Sequence, residues 1–227
     1  MLSGLKILLT GASGLVGSAV TQRLIKSGAQ LVMAGKDPQK LRNCDIYGSS
    51  DNPPHLWSGD LSNEENCRQL VDFAARRMNG IDVLINNAGV FHFSELKDIE
   101  SSMITDLMSV NIQTPIYLTR LTLPYLKASP HAMVLNISSL AGLSSLPGGA
   151  CYAATKWALQ GFSHSIREEL RDIPIRVCTI SPSQVEVLQQ QPESTVHAIT
   201  PEAVADTIAL VLAHSRTSSV SLDVVVH

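Results

Sequence analysis

Tyr152 and Lys156 stand four positions apart in Tyr152-Ala153-Ala154-Thr155-Lys156, inside a segment whose pattern predicts a helix over 150–171. Residues at i and i+4 share one helix face, so the phenol and the ammonium are expected to be neighbours. A free tyrosine ionises near ~10 and is a poor base at neutral pH. A cation beside it favours the phenolate, and so brings the group toward the range in which it exchanges protons with an alcohol or a carbonyl oxygen. The same spacing also serves an ordinary amphipathic helix, so the pair takes its meaning from its surroundings. Those include Ser139, a hydroxyl 13 positions before Tyr152 in Asn136-Ile137-Ser138-Ser139, and Asn111 in Ser109-Val110-Asn111-Ile112.

A second group of residues is suited to phosphate rather than to protons. Residues 5–10 read as a buried strand that runs into Thr10-Gly11-Ala12-Ser13-Gly14-Leu15-Val16-Gly17, where a helix opens. Glycine at 11, 14 and 17 lets the main chain turn sharply and approach a diphosphate, which then rests on the helix start. The alternative is a tight strand-to-helix turn with no ligand, and the position after the first strand favours binding. Which dinucleotide fits is decided at the end of the second strand, where an acidic residue would hold the ribose hydroxyls. The chain there reads Ala34-Gly35-Lys36-Asp37. Gly35 takes the place of the acid and Lys36 adds a cation able to pair a 2′-phosphate, so NADP(H) is expected in preference to NAD(H). The counter-reading makes Asp37 the acid, or Lys36 a plain solvated charge.

Both groups need a scaffold that brings distant segments together. Strands are predicted at 5–10, 30–34, 56–59, 82–86, 132–138, 175–181 and 220–225, and helices at 16–27, 38–44, 64–78, 103–126, 150–171 and 201–213. Residues 47–55, rich in Gly, Ser, Asp, Asn and Pro, read as a loop. Ser62 is the expected N-cap of the helix from 64, and Thr200 followed by Pro201 opens the last one. Strands apolar on both faces that alternate with helices predict an α/β fold. The expected form is a Rossmann-like, doubly wound, seven-stranded and mostly parallel sheet with helices on both faces, in a single domain over 1–227.

The bulk properties agree with such a domain. A chain of 227 residues with 44% hydrophobic and 16% charged residues is enough for one full core. A formal charge of −3 excludes the basic footprint of a general nucleic-acid binder. No apolar run reaches the ~18 residues of a bilayer span, and 7–10 read as a first core strand rather than part of a secretory leader. Cys44, Cys67, Cys151 and Cys178 show no CxxC spacing, so neither a metal site nor a disulfide framework is expected. Reduced, buried thiols in a cytoplasmic protein are the favoured reading.

Taken in order, the glycine turn, Asn86-Asn87-Ala88-Gly89, Asn136-Ile137-Ser138-Ser139 and Tyr152 with Lys156 resemble the short-chain dehydrogenase/reductase family over nearly the whole chain. The resemblance implies hydride transfer between a nicotinamide dinucleotide and a carbonyl or alcohol. Four residues would be catalytic. Tyr152 would give or take the proton, and Ser139 would hydrogen-bond the reacting oxygen as in an oxyanion hole. Lys156 would lower the tyrosine pKa and hold the nicotinamide ribose, and Asn111 would hold a water in a proton relay. Cofactor contacts are implied for Gly11, Ser13, Gly14, Leu15, Val16 and Gly17, and for Gly35 and Lys36. Asp60 would meet the adenine edge, with Leu61 beside it. Asn87, Ala88 and Gly89 would line the cleft, with Tyr152, Lys156, Pro182 and Val185 completing it, while Asn86 would tie the sheet together.

Three features depart from the family pattern. Leu15 stands where shorter members carry a glycine, and Gly14 is expected to do that glycine's work. Ser183 and Val187 replace a glycine and a cofactor-touching threonine after the sixth strand, which leaves the Val185 backbone to reach the carboxamide. Only 188–199 separate Val187 from Thr200, so a short polar lid is expected over an open cleft, one suited to a large or carrier-bound substrate. Phe91, His92, Phe93, Leu140, Leu143, Leu146, Gln184 and Val187 are expected to face a small-molecule or carrier-bound carbonyl or alcohol. The family's long helix pair packs against a second subunit, which implies a homodimer or homotetramer. The alternative to an enzyme is a dinucleotide-binding redox-sensing or regulatory module.

Overall fold

The computed structural model describes residues 2–44, 53–185, 198–215 and 223–227. Its architecture follows from how single strands split their side chains. In Lys6–Thr10 (β1), Ile7 and Leu9 enter one apolar core and Leu8 enters another. Gln30–Gly35 (β2) divides in the same way, with Leu31 and Met33 on one side and Val32 and Ala34 on the other. Val83–Asn86 (β4) and Met133–Ile137 (β5) repeat the pattern. Each fully buried Leu or Ile contributes about 1.5–3 kcal/mol, so both faces must be covered. Leu15–Lys26 (α1), Pro38–Arg42 (α2) and Pro201–Ser215 (α7) cover one face. Glu64–Met78 (α3), Thr114–Lys127 (α5) and Ala150–Glu169 (α6) cover the other.

With His55–Ser58 (β3), Arg176–Pro182 (β6) and Asp223–Val226 (β7), the strands form one sheet of order β3-β2-β1-β4-β5-β6-β7. Every neighbouring pair is parallel, so the sheet is wholly and not mostly parallel. The chain order reverses between β1 and β4, and that crevice beyond the strand ends is where ligands bind in open α/β sheets. Asn86 ties the sheet as expected. Its amide donates to Asn136 Oδ1 at 2.8 Å, and the Asn136 amide donates to Ser163 Oγ on α6 at 2.8 Å. Cys44, Cys67 and Cys178 are buried and in no disulfide, and burial pushes the Cys67 thiol up to about 12.

Two expectations are corrected. The helix expected over 103–126 is Ser101–Met108 (α4), a π-helical turn Ser109–Gln113, and then α5. Pro115 has no N–H, so the α-helical bond to the Asn111 carbonyl cannot form there, and a π-turn widens the helix at that point. The N-cap of α3 is Asn63, whose side chain accepts from Asn66 N at 2.9 Å. Ser62 is not the cap because its own amide goes to Asp60 Oδ1 at 2.9 Å. The last strand is described over Asp223–Val226, while 220–222 of the expected strand and 47–52 of the expected loop lie outside the described residues. Thr200 does open α7, its hydroxyl accepting from Ala203 N at 3.2 Å. No helix among the described residues is long and apolar enough to cross a membrane.

Candidate active site beyond the strand ends

The turn after β1 is locked by close approach of two main chains. Gly11 has φ +63°, and a Cβ there would lie 2.7 Å from Ala88 Cα; a Cβ at Gly17 would overlap the Gly11 carbonyl oxygen. The Asn87 amide donates to the carbonyls of Thr10 and Gly11, each at 3.0 Å. Thr10 Oγ1 accepts from the backbone of Asn87 at 3.1 Å and of Ala88 at 3.0 Å. Asn87 and Ala88 thus hold the turn in shape. Gly14 caps α1 without a side-chain hydrogen bond, which leaves the first-turn amides and the positive end of the helix facing out. Leu15, the first departure, keeps its side chain 41% exposed at the rim.

The four residues expected to be catalytic fall into two kinds. Ser139 caps a 3-10 turn, Leu140–Gly142, by accepting from Ala141 N at 3.2 Å, and its hydroxyl is near enough to Tyr152 to favour the phenolate. Burial raises the Tyr152 pKa and the Ser139 contact opposes that, with burial the larger effect. Lys156 is buried and donates from Nζ to the Ile137 carbonyl at 3.0 Å, and its Nζ lies 5.6 Å from the Tyr152 ring centroid. Burial brings its own pKa down to about 8. The lowering expected from Lys156 does not outweigh burial of the phenol in this arrangement, where the ammonium lies by the ring. Asn111 is of the other kind. Its Oδ1 accepts from Val90 N at 2.8 Å, and its Nδ2 donates to Val90 O at 2.9 Å and Thr155 Oγ1 at 3.0 Å. That side chain is used up in joining the π-turn, the loop after β4 and α6.

A cleft of about 350 Å³ joins the two halves. Gly11, Gly14, Leu15, Val16 and Gly17 wall one end, and Ser139, Tyr152 and Lys156 the other. Asn87 and Gly89 lie between, with Phe91, Pro182 and Val185 at the edges. Four wall residues were missing from the sequence-based set: Val90, Ile137, Ser138 and Ser183. Val90 and Ile137 act through their peptide groups, which leave no mark on residue type. Ser138 and Ser183 line the cleft, and their buried hydroxyls have no hydrogen-bond partner among the described residues. The open helix start and the glycine cradle together fit a dinucleotide.

The remaining expected residues lie outside the cleft wall. Gly35 is buried at the end of β2, and a Cβ there would come within 3.1 Å of Ser13 Oγ. Lys36 Nζ pairs with Asp60 Oδ2 at 2.7 Å. That contact, with the Ser62 amide, holds the Asp60 carboxyl at about 2 and raises Lys36. The side chain of Leu61 is in the core and its carbonyl accepts from Thr114 Oγ1 at 2.6 Å, so the expected cofactor contact is not made by that side chain. Among the expected substrate residues, Phe91 meets Tyr152 edge-on with centroids 5.0 Å apart. Phe93 lies against Gly148 and Leu146 against Gly149. His92 and Leu140 are half-buried, Leu143 and Gln184 are exposed, and Val187 with 188–197 of the lid lies outside the described residues.

The short chain dehydrogenase family profile matches residues 6–197, and the chain belongs to that family. An uncharacterized oxidoreductase of Staphylococcus aureus is 29% identical over 178 residues, which cover 78% of this chain and 77% of that one. A metagenomic short-chain oxidoreductase solved in complex with NADP is 32% identical, with TM-score 0.86 over 99% of this chain and 97% of its own. A short chain dehydrogenase from Burkholderia cenocepacia in complex with NADP shares the fold at 21% identity, with TM-score 0.86 over 98% and 97%. The protein is an oxidoreductase of the short-chain dehydrogenase/reductase family.

Proposed function

We propose that the protein interconverts a carbonyl and an alcohol with NADP(H), using Tyr152 as general acid and base. The observation that carries this is that Ser139, Tyr152 and Lys156 wall one end of the same cleft whose other end is the glycine turn. A nicotinamide dinucleotide bound in that cleft supplies or accepts the hydride. In reduction the Tyr152 hydroxyl gives a proton to the carbonyl oxygen, and Ser139 hydrogen-bonds that oxygen as charge develops on it. A raised tyrosine pKa keeps the hydroxyl protonated and ready to donate at neutral pH. Lys156 has two N–H bonds left after Ile137 and is within 3.9 Å of the space over Gly89, well placed to hold the nicotinamide ribose. The Asn111 side chain positions α6. Its main-chain carbonyl, which Pro115 cannot bond in an α-helical ladder, is the atom left to hold a water.

Preference for NADP(H) rests on Gly35 in place of an acid and on Lys36, and is supported by the relatives solved with NADP. The Lys36–Asp60 pair does not oppose it strongly. Lys36 is 80% exposed, and exposed ion pairs are worth about 0–1 kcal/mol, so a 2′-phosphate dianion can recapture the lysine. A homodimer or homotetramer is the proposed assembly, with Ile116 on α5 and Trp157 on α6 offered to a second copy at 37% and 53% exposure. Steady-state NADPH oxidation with aldehydes, ketones and quinones tests the reading. Tyr152→Phe is expected to lower kcat about 10²–10⁴-fold while NADPH affinity stays within threefold. Tight NADPH binding with no turnover, and no effect of Tyr152→Phe, would instead favour a sensing module.

A further inference from the structure

We infer that the site selects free, uncharged carbonyl compounds with an aromatic or similarly apolar substituent, and that Phe91 is the selecting side chain; this rests on the proposed hydride-transfer reading. Phe91, Phe93 and Leu96 are 66%, 59% and 70% exposed, and Leu143, which ends the 3-10 turn after Ser139, is 43% exposed. Single exposed apolar residues are common, but these belong to two segments packed on each other beside Tyr152. Phe93 rests on Gly148 and Leu146 on Gly149, so the loop after β4 is seated against the segment that leads into α6. Phe91 stands edge-on to the Tyr152 ring at 5.0 Å, where a substrate carbonyl would bring its own substituent. An aromatic group there gains an aromatic partner and loses little hydration.

Charge, or the lack of it, carries the second half. From Ala132 to Thr155 the chain has no Asp, Glu, Lys or Arg, and from Asn86 to Ser94 it has none either. The next two charges on that loop, Glu95 and Lys97, pair with each other at 3.1 Å. From Val177 to Ser215 there is no Lys or Arg. Lys156 is the cation of the cleft wall, and it is buried and bonded to Ile137. A carboxylate or phosphate on the substrate would therefore shed water against apolar surface, with no Lys or Arg but the engaged Lys156 among the described wall residues to receive it. An acidic carrier protein or a phosphate-bearing carrier would find no cluster of Lys or Arg among the described residues at this mouth either, so the cleft is matched to small free molecules.

The matched pair benzaldehyde and 4-carboxybenzaldehyde, which differ by one charge, tests this with NADPH as reductant. Benzaldehyde is expected to have a kcat/KM at least a hundredfold higher. Phe91→Ala should lower the benzaldehyde value about tenfold, chiefly through KM, and Phe91→Arg should raise the carboxylated aldehyde relative to its neutral partner. An NADPH titration of each variant shows that its fold is retained. Ligand-observed NMR of benzyl alcohol and 4-carboxybenzyl alcohol gives the same comparison without turnover, and binding of the neutral alcohol alone is expected. Equal or better use of 4-carboxybenzaldehyde by the native protein overturns the inference and leaves hydride transfer standing. Oxidation of NADPH by neither aldehyde, nor by any wider panel, removes the hydride-transfer reading and this one with it.

Discussion

Two regions of the molecule handle charge in opposite ways. In the cleft, where proton transfer is proposed, Lys156 is 6% exposed and Tyr152, on α6, is half-buried, so a charge there acts at low dielectric. At the end of β2, outside the cleft wall, Lys36 and Asp60 form an ion pair whose side chains are 80% and 41% exposed. The first arrangement fixes chemistry and spends stability on it. The second adjusts selectivity and spends almost none. Substitutions in the two regions should accordingly differ in size by orders of magnitude, which is where the comparison is open to attack.

The largest effect is expected from Lys156→Met, with kcat/KM falling a hundredfold or more as the ribose loses its donor. Stability should move the other way, and the sign follows from the pKa. Lys156 falls from 10.5 unfolded to about 8 folded, so burial of its charge is a penalty fully present below about 8 and relieved as pH rises to 10.5. Roughly 3 kcal/mol is involved, as an upper figure. Denaturant unfolding of both proteins from pH 7 to 10.5 should show the native protein gaining on Lys156→Met across that window. A difference that does not change with pH would mean the lysine is not buried as charge.

Next in size is the glycine turn at the other end of the cleft. At Gly17 a methyl group meets the Gly11 carbonyl and the Ala12 backbone, whereas at Gly14 it meets only the Gly11 carbonyl oxygen, at 3.3 Å. Gly17→Ala should destabilise by about 1–3 kcal/mol and weaken NADPH binding at least tenfold. Gly14→Ala should retain most of both, and equal losses in thermal melts would show that Gly14 is as crowded as Gly17.

How much of this could be read in the residues depends on whether side chains or main chains do the work. Glycine spacing, the Tyr152–Lys156 step and the apolar strand runs are side-chain patterns, and they predicted the sheet and both ends of the cleft. Val90 and Ile137 were missed because they act through their peptide groups with Asn111 and Lys156. The π-turn was missed although Pro115, four positions after Asn111, is a signal that could have found it. Asn63 was passed over for Ser62 because both are good caps, and the choice is made by Asp60, which takes the Ser62 amide. The tyrosine pKa went the other way from expectation because helical spacing brings an ammonium near a ring without saying which atom it faces, or how dry the site is.

The smallest effect belongs to the exposed region, and it discriminates best when measured as a ratio. Lys36→Met should weaken NADPH binding about five- to tenfold and leave NADH within twofold, since only the former carries the 2′-phosphate. Asp60→Asn removes the lysine's rival partner, so the NADPH-to-NADH affinity ratio should rise by a factor of about two to five. Both changes should shrink as salt is raised from about 0.05 to 0.5 M, because exposed charges are screened over about 10 Å at 0.1 M. The Lys156 effects should hardly respond to salt. If Asp60→Asn lowers NADPH affinity more than NADH affinity in fluorescence titrations, then Asp60 is not competing for Lys36. The ion pair would instead be part of the phosphate site, and the contrast between a committed region and an adjustable region would fail at its weaker side.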